Sequence, residues 1–558
     1  MKKIYPAALF FFLFCIICNG QSQPVPLRPD ITVGFVKSIP KDISGIAKDP
    51  VTGNLYMINF SGLVYEVKNL GTPGVYDTLL FTDADHGIGS LRGILFDDST
   101  LFLIGNTLID STTTVGKIVR GDLQPNSLRA WTIVAQTDTY PQSRTAYDHG
   151  LSGLVFNPTH DSLYFNSGAR TDHGEVQSNG GIYPGVRDVP LTTCIFHIPA
   201  SAANLLLPDD STSLAPYIFA RGIRNSFELS FTADGDLIGL ENAGDRDDPD
   251  ELNWLREGRH YGFPWAVGGD TNPQQFPGYD PSADAFINKQ QHSYINGYFY
   301  NDSTFPPPLA GITFTSPALN YGPDADKFRD VNDLTVKDAS DMGSPMTTFT
   351  PHRCPVGMVM DYDSLLINDL RGDAFMIGYS SAGDSTGLGI NGLGTLLDSS
   401  EDLVHVKLIK NIAIDNYEIY CTRIVAGFHR PVDDCIIGNK IYVVENVRNN
   451  QDTAYMWEIT LPLLSTSFNN QTTYKVNSYI YPNPASKFTL LSYSLQGKEK
   501  GNFVLTDVTG KIVLKEELDP SAKAKRIDLS KLHNGIYFYK VLQKDIMIDA
   551  GKIVVDKQ

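Results

Sequence analysis

Gly153-Leu154-Val155-Phe156, a polar turn and then Leu163-Tyr164 make a short apolar run that opens on a small residue and closes on an aromatic strand. The phrase returns five more times: Gly45-Ile46-Ala47 to Leu55-Tyr56, Gly93-Ile94-Leu95-Phe96 to Leu101-Phe102, Leu229-Ser230-Phe231 to Leu237-Ile238, Gly357-Met358-Val359 to Leu365-Leu366, and Asp434-Cys435-Ile436 to Ile441-Tyr442-Val443. Each copy reads as a β-hairpin, because short runs of β-branched and aromatic residues flank Asp, Asn, Gly and Pro turns. A single hairpin cannot bury its own apolar face, so copies must stack on one another. Six copies spread over residues 30–460 predict an all-β fold, a six-bladed β-propeller. Loops from every blade then surround one axial mouth, the place to look for function.

The ends of the chain are different. Lys2-Lys3 followed by apolar Ala7 to Ile17, with Gly20 after it, predicts a secretory signal peptide over residues 1–20; a membrane anchor would need about 20 apolar residues. Its removal leaves Cys194, Cys354, Cys421 and Cys435 in an oxidising compartment. None shows the close spacing of a zinc site, so each is a buried apolar residue or half of a disulfide, and Cys421 with Cys435 is the pair to test. The net charge of −18 argues against nucleic acid or an anionic membrane as partner. From Ser478 onward thirteen Lys and Arg face nine Asp and Glu, a net of +4, which leaves −22 for the rest.

Residues 461–477 lose the alternation and read as a linker. Beyond them, residues 478–558 predict a small β-sandwich, with strands near Phe488–Tyr493, Asn502–Asp507, Lys511–Glu516, Ile536–Leu542 and Ile546–Val555. Tyr481-Pro482-Asn483-Pro484-Ala485, the turn from Asp507 to Lys511, Ile527-Asp528-Leu529-Ser530 and Asn534-Gly535-Ile536-Tyr537 follow in order. This segment resembles the C-terminal sorting domain of the type IX secretion system. The resemblance implies export across an outer membrane, with the secretion machinery as a partner and a secreted or cell-surface product.

The densest chemistry lies in Arg221-Gly222-Ile223-Arg224-Asn225, then Asp234-Gly235, then Glu241-Asn242-Ala243-Gly244-Asp245, closing on Asp250-Glu251-Leu252-Asn253 and Tyr261-Gly262-Phe263-Pro264. Arg224 is a planar donor fork suited to carboxylate and quinone oxygens, and Asn225 adds a neutral donor. Five carboxylates between Asp245 and Glu251 repel one another unless solvent or a hard cation neutralises them. In this order the motifs resemble the glucose/sorbosone dehydrogenase family, soluble quinoproteins that carry pyrroloquinoline quinone (PQQ) and calcium on a six-bladed propeller.

Three more residues extend the resemblance. His149, ahead of the Gly153 phrase, stands where the family places its catalytic base. Arg371 and Arg430 stand where relatives place cofactor-binding cations. The resemblance implies that Arg224 and Asn225 polarise the quinone, that the carbonyls of Ala243 and Gly244 face the cofactor calcium, and that Glu251 and Tyr261 hold a structural calcium. It also implies a sugar or polyol substrate and an external electron acceptor. The chain departs from the family in three places: Gly168-Ala169-Arg170 replaces the usual Gly-Asp after Tyr164, Val432 replaces a second arginine, and no Gln or Glu lies near Gly89 to Gly93.

Blander readings accompany these. His149 is also compatible with a loop histidine, and Arg224 with Asn225 with a pin between neighbouring sheets. Asp172, His173 and Glu175 could share an ion or form a polar loop. Residues 265–350 exceed a normal connection and predict a rim over the mouth, whose Tyr279, Tyr294, Tyr298 and Tyr300 either stack on sugar rings or pack the insertion. The alternative functions are a non-catalytic, calcium-stabilised propeller that binds glycans or proteins, and a lactonase or hydrolase.

Overall fold

The computed structural model describes residues 23–557 apart from 126–127, 368, 381–394, 448–452, 465–477, 494, 496, 523 and 545. The expected signal peptide over residues 1–20 and most of the expected linker therefore lie outside the described residues. The fold is all-β and divides into two units, Met1–Leu464 and Ser465–Gln558.

In the larger unit, six mainly antiparallel sheets each open on an inner strand: β1 (Ile43–Lys48), β2 (Ser90–Asp97), β3 (Gly150–Phe156), β4 (Ser226–Phe231), β5 (Pro355–Met360) and β6 (Pro431–Ile437). Each inner strand packs against the next, and β6 packs against β1, so the six close a ring. Packed on both sides, these strands leave only Lys48 exposed, every other residue being buried or half-buried. That explains their almost continuous apolar runs. The sheet that begins with β6 is completed by Thr32–Ile39, which pairs antiparallel with Ala454–Thr460 and joins the two ends of the unit.

Every inner strand has a register shift near its start: at Ile43/Gly45, Leu91/Gly93, Ser152/Val155, Ser226/Glu228, Pro355/Gly357 and Pro431/Asp433. A bulge there turns the strand where the ring is most crowded. Glycine opens four of the phrases for this reason. A Cβ on Gly93 would lie 2.6 Å from Cγ2 of Ile104, and Gly153 has a φ of 61°.

The fifth phrase closes differently from the sequence expectation. β5 pairs with Ala374–Gly378, not with Leu365-Leu366. The Asp361 carboxylate gathers the N–H groups of Leu365, Leu366 and Gly372 into a compact loop, and Leu366 bridges to Leu463 instead. All four described cysteines are free. Cys421 and Cys435 sit in different sheets and pack in different apolar clusters, so the tested pairing is replaced by the buried apolar alternative.

The C-terminal unit has two sheets: Tyr479–Tyr481, Phe488–Ser492 and Ala524–Asp528 form one, and Ile512–Leu518, Gly501–Thr506, Gly535–Gln543 and Ile546–Val555 the other. Leu491 and Ile527 from the first and Phe503, Leu505 and Val541 from the second share one core. Ala524–Asp528 was not among the expected strands, because only Ile527 in it is buried and Lys525 and Arg526 obscure the alternation. Asp507 closes its turn by accepting from the N–H groups of Thr509 and Lys511.

Candidate active site

The starts of the inner strands surround a cavity of about 670 Å³, lined among others by Arg92, His149, Asn225, Asn242, Cys354 and Tyr379. His149 immediately precedes β3. Its backbone N–H donates to the Ala169 carbonyl at 3.1 Å, and its ring Nδ1 lies 2.9 Å from the same oxygen. A carbonyl only accepts, so Nδ1 carries the proton and Nε2 is left as the basic atom. The backbone of Ala169 thus orients the imidazole in a loop that lacks the family's Gly-Asp pair. Burial, and after it the positive charge of Arg224, lowers His149 to about 3, so the ring is neutral at physiological pH.

Gly168 makes this arrangement possible. A Cβ there would lie 2.5 Å from Cβ of His149, 2.7 Å from Oδ1 of Asn225 and 3.3 Å from the Arg224 carbonyl. His149, Asn225 and the Arg224 backbone therefore meet around one glycine, which opens the stretch that departs from the family's Gly-Asp. Asn225 lines the cavity, its Oδ1 accepting from Nδ2 of Asn166 at 3.2 Å.

Arg224 does not line the cavity. It is 3% exposed, and its fork is committed to protein: Nε to the Asp172 carbonyl at 2.7 Å, Nη1 to Oδ1 and the carbonyl of Asn242 at 2.9 and 3.0 Å, and Nη2 to Oδ1 of Asp172 at 3.1 Å. The residue it presents to the cavity is Asn242. Asp172 in turn meets Nδ1 of His173 at 2.9 Å, while Nε2 of His173 meets Oε1 of Gln274 at 3.1 Å. Burial alone lowers His173, but Glu175 and Asp172 outweigh it and raise the imidazole to about 8. Burial raises Asp172, but the His173 hydrogen bond and Arg224 outweigh it and bring the carboxyl to about 2. The Asp172-His173-Glu175 cluster is thus an ion-paired network, with His173 stacked on Phe299 at 4.1 Å.

The acidic loop finds its counter-charges inside the protein. Asp247 pairs with Arg329 and His352, Asp248 with Arg246, and Asp250 accepts the N–H groups of Ala243 and Cys354. Asp245 accepts from the Tyr147 hydroxyl. Glu251 accepts from the Gly268 N–H and from Asn253, and burial raises it to about 7. The Tyr261 hydroxyl donates to the Trp254 carbonyl and accepts from the Arg256 N–H, so Glu251 and Tyr261 share no partner. Among the described residues, no three His, Cys, Asp or Glu side chains form a metal-holding group. The carbonyls of Ala243 and Gly244 remain suited to a hard cation, since among the described residues neither accepts a hydrogen bond.

Arg371 is exposed on the loop after β5. That loop leaves the end of β5 remote from Cys354 and Val356, which line the cavity, so it hangs away from the site; the returning strand delivers Tyr379 instead. Arg430 lies against the cavity wall, its guanidinium 5.7 Å from the Tyr379 ring. Its Nε and Oδ1 of Asn446 are buried without hydrogen-bond partners. The Arg92 guanidinium and the amides of Asn225, Asn242 and Asn446 line the cavity, and Arg430 stands beside its Tyr379, a set suited to a polyanionic quinone. The insertion's tyrosines pack it: Tyr279 donates to Asp284, Tyr300 accepts from the Val176 N–H, and Tyr298 meets Tyr147 edge-on.

Residues 96–296 match the Glucose / Sorbosone dehydrogenase family model and residues 479–556 the Secretion system C-terminal sorting domain. No curated protein matches the chain in sequence. Among solved structures, a glucose dehydrogenase is 14% identical, with 77% of this chain and 100% of that one covered and a TM-score of 0.47. The apo-form of the soluble aldose sugar dehydrogenase from Escherichia coli is 14% identical over 77% and 99%, with a TM-score of 0.46. The PQQ-bound aldose sugar dehydrogenase from Streptomyces coelicolor is 15% identical over 78% and 100%, with a TM-score of 0.42. No helix among the described residues is long and apolar enough to cross a membrane. The chain thus carries a segment that matches the Glucose / Sorbosone dehydrogenase family model and, at its C-terminal end, a sorting domain that directs it through type IX secretion, to be released or held at the cell surface.

Proposed function

We propose that the larger unit is a six-bladed β-propeller that oxidises a sugar or polyol in the cavity beside His149, and that the C-terminal unit is a β-sandwich that serves its export. PQQ bound there would supply the quinone that accepts the hydride. Nε2 of His149 takes the hydroxyl proton from the substrate carbon being oxidised, while the Ala169 carbonyl holds the ring in the tautomer that leaves this nitrogen free. Arg92 and Arg430 would hold the cofactor's carboxylates, and Asn225 and Asn242 would offer amide donors where negative charge develops. Arg224 acts through Asn242 as a positioning residue. The carbonyls of Ala243 and Gly244 would be the ligands for a cofactor calcium.

The observation that carries this reading is the Nδ1 tie to Ala169 beside a cavity of about 670 Å³. A second reading, a non-catalytic propeller that binds glycans or proteins, is favoured by the committed fork of Arg224 and the internally paired acidic loop. Reconstitution with PQQ and calcium, followed by dye reduction over a panel of sugars, separates the two. Turnover supports the first reading; cofactor-independent glycan binding without turnover supports the second.

A further inference from the structure

Beyond Arg92 and Phe227, which line both spaces, the inner strands enclose a second cavity of about 330 Å³. Its walls are aliphatic at Ile46, Leu95, Leu154 and Met358 and acidic at Glu228 of β4 and Asp433 and Asp434 of β6. Asp433 is accounted for: its Oδ2 accepts the Ile46 N–H at 2.7 Å across the β1–β6 seam. Asp434 is not. It is 5% exposed, and neither carboxylate oxygen has a hydrogen-bond partner. Gly357 on β5 leaves room for it, since a Cβ there would lie 2.8 Å from Oδ1. Burial holds all three carboxyls above the ordinary carboxylate range, Asp433 at about 7, and their neighbours add to this for Glu228 and Asp434; no arginine or lysine lowers any of them. Lys48 lines the cavity from an exposed position, and Arg92 turns a guanidinium N–H toward the Asp148 carbonyl of the first cavity.

A buried carboxyl without a donor keeps its proton unless a cation arrives to take that proton's place. The arrangement of the acids selects its kind. They do not form a metal-holding group, whereas calcium needs roughly six to eight oxygens around one point. An ammonium has three N–H donors that reach separate acceptors, and an attached alkyl chain would lie on the aliphatic wall. We propose that this second cavity binds a small primary alkylamine, with Asp434 as the principal acceptor and Glu228 and Asp433 flanking it. This site is independent of the oxidation reading.

Isothermal titration of the purified chain near neutral pH with n-butylamine and diaminobutane, against n-butanol and calcium chloride, tests it. The expected result is saturable binding of the amines, no binding of butanol, and amine affinity lowered about tenfold or more in Asp434→Asn and in Glu228→Gln. If Asp434→Asn does not fold, the less buried Glu228→Gln carries the comparison. Absence of saturable amine binding, equal binding of butanol, displacement of the amine by calcium, or unchanged affinity in Glu228→Gln would overturn the proposal.

Discussion

At the scale of single residues, the site depends on who orients whom. His149 is held by a backbone carbonyl, and the space for that contact comes from Gly168, where a Cβ would sit 2.5 Å from His149. Gly168→Ala should therefore lower turnover by about 100-fold, the effect of misplacing a reacting group by around 1 Å, while the thermal midpoint falls only modestly; steady-state kinetics with a melting curve checks both. His173 gives a pH signature. Its folded pKa is raised from 6.5 to about 8, so its contribution is fully present below the unfolded value and is lost as pH rises through the folded one. The difference in unfolding free energy between wild type and His173→Gln should shrink by about 2 kcal/mol across that window, measured by urea denaturation at several pH values. Part of this was legible in the sequence. His149 and Asn225 could be placed beside a cavity because their strand phrases fix them. The partners of Arg224, by contrast, lie 18 and 52 residues away, a distance that spacing cannot read.

At the scale of elements, the glycine that opens four of the phrases marks a bulge in an inner strand. Its physical cause is crowding at the ring's centre, which glycine relieves. Gly93→Ala should cost about 1–3 kcal/mol through overpacking against Ile104, whereas Gly74→Ala, whose nearest atom would be 3.9 Å away, should be near neutral; denaturant midpoints distinguish them. The one phrase read with the wrong partner shows the limit of periodicity. Leu365-Leu366 is apolar and follows at the right spacing, yet Asp361 holds it in a loop that carries Arg371, and the strand that pairs with β5 is Ala374–Gly378, which leads to Tyr379.

At the scale of the whole molecule, the larger unit closes by pairing its first long strand with its last. Removal of residues 23–40 should leave Ala454–Thr460 with an open edge and abolish cooperative unfolding of the larger unit, as followed by calorimetry, because the ring's last seam is then missing. The ring places His149, Asn225, Asn242 and Arg92 around one cavity, with Arg430 beside the Tyr379 ring that lines it, and on that convergence the oxidation reading depends. The most direct test is to reconstitute wild type and His149→Ala with PQQ and calcium and to measure cofactor binding and sugar-dependent dye reduction in parallel. Retained cofactor binding with turnover reduced by about 100-fold or more is the predicted result; unchanged turnover in His149→Ala would contradict it.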